Sequence, residues 1–103
     1  MVPGGVPMSL PSSRIIHPHV TITAGVCGGS PAIAGTRFAV RSVVHYVLRL
    51  GLTAEELADR FPHLTLAQIH DALAYYYDNR AEIDADIAAN REETARRSSS
   101  QGA

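Results

Sequence analysis

Residues 53–68 run TAEELADRFPHLTLAQ, and one signal occurs in them twice. Thr53 is followed three residues on by Glu56, and Thr65 by Gln68. That spacing is a capping box: the threonine hydroxyl accepts the N–H of the third residue, whose side chain accepts the threonine's own N–H. Leu57, Ala58 and Phe61 then share one side of a short helix. Pro62 stops it, lacking the N–H and the clearance to continue. In the next helix Leu66, Ile69, Leu73 and Tyr76 line one face. Two helices separated only by FPHL, the second with its leading end free, have the geometry of a helix-turn-helix, whose second helix enters the DNA major groove.

On that geometry the leading end presents Thr65, Ala67, Gln68 and Asp71. Gln68 can pair bidentately with adenine and Thr65 can bond a phosphate, whereas Asp71 repels DNA unless it accepts from a cytosine amino group. Arg41, Arg49, Arg60 and His63 are the expected backbone contacts, with Arg37 reaching from an upstream loop. So few cations serve a monomer poorly. A homodimer that doubles them and reads two half-sites of double-stranded operator DNA is expected. Small all-α cores also join helices by short turns, so the same pattern fits a scaffold that contacts only protein. A ribbon-helix-helix, with residues 20–24 as the reading strand, is a lesser rival because three helices are visible where that fold has two.

Upstream, Val40, Val43, Val44, Val47 and Leu48 recur at helical spacing, and Gly51 stands where a left-handed cap ends a helix. Before them the period is two: VTIT, residues 20–23, reads as a strand, and residues 32–40 as a second extended stretch. Gly25, Gly28 and Gly29 supply the reversal between them, and Gly35 permits a kink. The fold expected is mainly α: a three-helix helix-turn-helix domain preceded by an N-terminal β-hairpin, with a C-terminal helical extension.

Downstream of Tyr76, Ile83 and Ile87 continue the helical spacing among alanines and acidic flanks. With the domain expected to end at residue 78, this stripe has no core of its own to cover and suits a groove on another protein. Tyr75 and Tyr77 rim that interface and Arg80 joins it, giving Tyr75, Tyr77, Arg80, Ile83 and Ile87 as candidate partner contacts. Packing on a second copy of the chain is the equal alternative. Removing residues 79–103 is expected to leave the core folded. The divisions are a leader without structure at residues 1–13, the domain at 14–78, the extension at 79–97 and a tail without structure at 98–103.

Composition narrows the function classes. The chain has 103 residues, 46% of them hydrophobic, enough for one small core. No apolar run is long enough to span a membrane and no secretory signal begins the chain, so a cytoplasmic protein is expected. All nine basic side chains are arginine, against ten acidic ones. His17, His19 and Cys27 could approach one another, but a His-x-His with one cysteine is a weak zinc signal, and no metal or cofactor is expected. Nucleophile elbows, phosphate loops and dinucleotide fingerprints are missing, and no catalysis is expected.

CGGSPAIAGTRFAV at residues 27–40 and GLTAEELADRFPHLTLAQIHDALAYYYDNRAEID at residues 51–84 together resemble the domain-of-unknown-function family 433. The resemblance is carried by Gly28, Gly29, Pro31 and the Gly35-Thr36-Arg37 triplet, and by Pro62, Leu64, Thr65, Ala72, Leu73, Ala74 and Tyr75. It implies an antitoxin-like protein with a helix-turn-helix, paired with a ribonuclease toxin of the PIN-like class. Arg37 has two readings. Its forked donors could hold a DNA phosphate or a partner carboxylate, or could bond a carbonyl or a carboxylate such as Glu55, Glu56 or Asp59 within its own fold.

Overall fold

The computed structural model describes residues 16–102. The leader expected over residues 1–13 lies outside the described residues, as do the side chains of the tail expected over 98–103. The protein is mainly helical, with a short two-stranded sheet at its N-terminal side. Strands β1 (Val20–Thr21) and β2 (Ala32–Ile33) pair antiparallel, Val20 opposite Ile33 and Thr21 opposite Ala32. The ladder is shorter than the β-branched run because the chain turns at once, Val26 N–H closing on the Thr23 carbonyl. The second stretch is broken at Gly35, whose φ of 79° sits in a turn closed by Thr36 N–H on the Ile33 carbonyl at 3.0 Å. The Thr36 hydroxyl donates to the same carbonyl and accepts the Phe38 N–H, so the glycine-threonine pair shapes this loop.

Helix α1 (Val40–Val44) continues as a π-helical segment (His45–Arg49), followed by α2 (Ala54–Arg60), α3 (Leu66–Asp78) and α4 (Arg80–Gly102). Val40, Val43 and Val44 are buried as their spacing predicts, but Leu48 is 45% exposed. The reason is the wider π turn, in which Leu50 N–H reaches back five residues to the His45 carbonyl. It shifts the phase of every later side chain. Gly51, at φ 79°, then ends the helix in the left-handed region, and Leu52 N–H returns to the Tyr46 carbonyl.

The core gathers Ile33, Val40, Val43, Val44, Leu57, Leu64, Ile69, Ala72 and Tyr76 from the sheet and α1–α3, and adds Ile83 from α4. Ile83 is fully buried and Ile87 packs partly buried beside it. Here the sequence expectation is corrected: the stripe on the extension covers the chain's own core. The cause is a break at Asn79, whose backbone leaves the helical region (φ −137°, ψ 46°) and whose side-chain amide donates to the Tyr75 carbonyl. The chain turns there, so Ile83 swings back under α1 and α3 instead of continuing outward. No helix among the described residues is long and apolar enough to cross a membrane.

Candidate functional site

Both capping boxes form. Thr53 N–H donates to Glu56 Oε1 at 2.8 Å and Glu56 N–H to Thr53 Oγ1 at 3.0 Å. Thr65 N–H donates to Gln68 Oε1 at 2.8 Å and Gln68 N–H to Thr65 Oγ1 at 3.1 Å. The turn between the two helices is pinned inward by Leu64, which is buried, while Pro62 and His63 stay exposed. Thr65, Leu66 and Ala67 are also exposed, so the leading turn of α3 faces outward beside Arg60 and His63.

The individual side chains are less free than their positions suggest. Gln68 is half-buried and gives its carboxamide oxygen to the cap, leaving only its NH2 group to donate outward. Asp71 is withdrawn from the surface: its carboxylate accepts His19 N–H at 2.7 Å and lies 3.1 Å from His17 Nδ1. His17 Nε2 reaches Asp78 at 3.0 Å, and the ring meets Tyr75 edge-on at 5.3 Å. The N-terminal segment is thereby stapled along α3, and the acid that would repel DNA is engaged by a residue 54 positions away. His17 is thus committed to carboxylates, and the Cys27 thiol donates to the Arg37 carbonyl.

The arginines divide likewise. Arg41 Nη1 donates to Asp86 at 3.0 Å, and Asp86 also accepts from the Ser30 hydroxyl at 2.7 Å, so Arg41 is held between α1 and α4. Arg60 lies over the Tyr46 ring at 6.0 Å, beside the Phe38–Tyr46–Phe61 cluster. Arg37 is exposed, with one long contact of 3.4 Å to the Gly25 carbonyl. Of the two readings offered for Arg37, the carbonyl contact is present but leaves most of the guanidinium's donors unused.

On α4 each acid of the first two turns is engaged. Tyr75 donates its hydroxyl to Glu82, Tyr76 to Asp84, and Asp86 holds Ser30 and Arg41. Burial, then the hydrogen bond and charge of Glu82, push the Tyr75 phenol up to about 12. Arg80 lies 5.6 Å and 6.0 Å from the ring centres of Tyr76 and Tyr77, and Tyr77 is 54% exposed. Of the five candidate partner contacts, Ile83 is unavailable and Ile87 largely so, whereas Tyr77 and Arg80 remain outward. Beyond Ile87 every residue through Arg97 is exposed. In this projecting part Glu93 pairs with Arg97 at 2.7 Å, while Arg91 and Arg96 form no ion pair among the described residues. The acids of the extension's first two turns are bonded within the fold, and its projecting part carries Arg91, Arg96 and Arg97 beside Glu92 and Glu93, all of them exposed. Neither the Asp71–His17–Asp78 clasp nor the Asp86 junction has a sequence signal, because their members are 45 to 61 positions apart.

A model of the family described as a protein of unknown function, DUF433, matches residues 20–76. The match spans β1 through nearly all of α3 and excludes α4. Among solved structures the chain is similar to the crystal structure of a DUF433 member protein from Anabaena variabilis, at 34% identity and a TM-score of 0.64, over 79% of each chain. No curated protein matches the chain.

Proposed function

The chain belongs to the DUF433 family, and on that premise we propose that it is the antitoxin of a two-component toxin–antitoxin pair. In this reading it binds operator DNA as a dimer through the leading turn of α3 and neutralises a PIN-like ribonuclease through α4. The observation that carries the DNA half is the outward-facing turn Thr65–Leu66–Ala67, held open by its capping box with Arg60 and His63 beside it. Asp71 is half-buried against His17 and the His19 N–H, so its carboxylate is turned toward the N-terminal segment and not toward the phosphates that α3 would meet.

The toxin half rests on the projecting part of α4. Metal-dependent cleavage of a phosphodiester needs a cluster of carboxylates to hold the ion. A guanidinium can occupy such a cluster with paired hydrogen bonds, and Arg91 and Arg96 are exposed on the projecting helix. Glu82, Asp84 and Asp86 are bonded to other groups, and on the projecting part Arg91, Arg96 and Arg97 outnumber Glu92 and Glu93.

A test uses the full chain and a chain ending at Asn90, each mixed with a PIN-like ribonuclease, taken from the adjacent reading frame where one is encoded there, and an RNA substrate. The full chain should suppress cleavage, and the shortened one should keep its DNA affinity while losing suppression. Suppression by the shortened chain removes the projecting helix from the mechanism. A second reading, a protein-interaction module on the same scaffold, is favoured by the exposed face of α3. Leu66, Ala67, His70, Ala74 and Tyr77 contain no arginine, and no retardation of upstream DNA even at low salt would leave that reading in place.

A further inference from the structure

Between the outer face of α1 with its π segment and the projecting part of α4 lies a groove of about 460 Å³. Arg41, His45 and Arg49 follow one another at four-residue intervals along one wall, and Ile87, Arg91 and Ala95 stand on the other. Arg41 is tied to Asp86, while Arg49 and Arg91 form no ion pair among the described residues. In a chain of formal net charge −1, this is a local excess of positive charge. The α4 wall also carries apolar surface, from the half-buried Ile87 and, about two turns on, the methyl of Ala95, and Leu48, turned outward by the π turn, lies next to Arg49 in the chain.

We infer that this groove is a docking site for an acidic amphipathic helix of another protein. Two helices that diverge from a common contact leave a trough that a third helix fills, setting apolar side chains on the floor and acids against the cationic rim. The wall from Ile87 to Ala95 is about 12 Å long at the helical rise, a little over two turns of an incoming helix. A phosphodiester backbone would use the arginines but gain nothing from Ile87 and Ala95, which is why a peptide is the better fit. A second copy of this chain is a poor occupant. Its acids on α2, Glu55, Glu56 and Asp59, sit on a helix whose apolar side chain, Leu57, is buried in its own core, those on the first turns of α4 are already bonded, and on the projecting part Glu92 and Glu93 are outnumbered by Arg91, Arg96 and Arg97. The groove is separate from the helix-turn-helix turn, so the inference does not depend on DNA binding.

The test maps amide shifts of the isotope-labelled full chain against a synthetic helical peptide of about 14 residues, roughly four turns, with leucines on one face and glutamates flanking it. The expected result is saturable binding that moves amides at residues 41–49 and 87–95, with affinity lowered at least roughly tenfold in Arg49→Glu/Arg91→Glu. Arg60→Glu, outside the groove, should leave it unchanged. Both groove arginines are exposed and form no ion pair among the described residues, and an unaltered helical circular dichroism spectrum checks that the double variant folds. Three results would overturn the inference: no saturable binding, equal binding of the same peptide with lysines for glutamates, or shifts of the same amides by a DNA duplex at lower concentration. Self-association lost in the double variant would assign the groove to a second copy instead.

Discussion

Gln68 shows how one side chain can serve two roles that compete. Its oxygen completes the α3 cap, so bidentate reading of adenine requires the cap to share that oxygen. Gln68→Glu keeps the capping oxygen and removes the NH2 donor. Stability should change by less than about 0.5 kcal/mol, and operator affinity should fall if the NH2 group touches a base. Denaturant unfolding and DNA retardation measure the two effects separately. Tyr75 makes a second prediction at this scale. Its folded phenol is pushed up to about 12, chiefly by burial and then by Glu82, whereas an unfolded tyrosine titrates near 10. Because the folded state favours the protonated form, the stability it contributes is fully present below about pH 10 and is lost as the pH climbs through about 12. Tyrosinate absorbance should show one of the four tyrosines ionising late, and Glu82→Gln should bring it partly down, burial remaining. At Gly51, a φ of 79° puts a β-carbon in the left-handed region, and Gly51→Ala should cost about 1 kcal/mol.

Among the elements, α4 changes most between sequence and structure. Its spacing of Ile83 and Ile87 was legible as an amphipathic stripe, but a stripe does not say whose core it covers. The break at Asn79 decides that, by turning the helix back so that Ile83 is sealed between α1 and α3. Ile83→Ala should therefore destabilise the isolated chain by about 3 kcal/mol, within the usual cost of emptying a buried isoleucine site. Thermal unfolding of the chain without any partner checks it, and an unchanged midpoint would place Ile83 at an interface after all. For the same reason, removing residues 79–103 should compromise the fold, contrary to the expectation from sequence, while a chain ending at Asn90 should keep its core. The helix-turn-helix was the opposite case. Its two boxes are local, each made within four residues, and the sequence placed both helix starts at the residues where the structure has them.

Across the whole molecule, charge is distributed in a way composition alone conceals. A net of −1 conceals acids bonded within the fold, to His17, Tyr75, Tyr76, Ser30 and Arg41, and arginines left outward on the projecting helix and along the groove. The 67 × 29 × 24 Å envelope follows from the same division, one end packed and the other a helix reaching away from it. Operator affinity, if present, should fall steeply with salt because the contacts available to α3 are phosphate contacts, and a flat salt titration would count against them. By itself, the sequence determined the starts of α2 and α3, the caps at Thr53, Thr65 and Gly51, the turn residues before β2, and the exposed leading end of α3. All of these depend on neighbours within a few residues, where backbone geometry and hydrogen-bond reach are set by residue type. Only the tertiary structure decided that Asp71 meets His17, that Asp86 gathers Ser30 and Arg41, and that Ile83 belongs to the core. Those outcomes depend on which distant surfaces meet, and a contact across some fifty residues of chain leaves no periodic trace in the order of its residues.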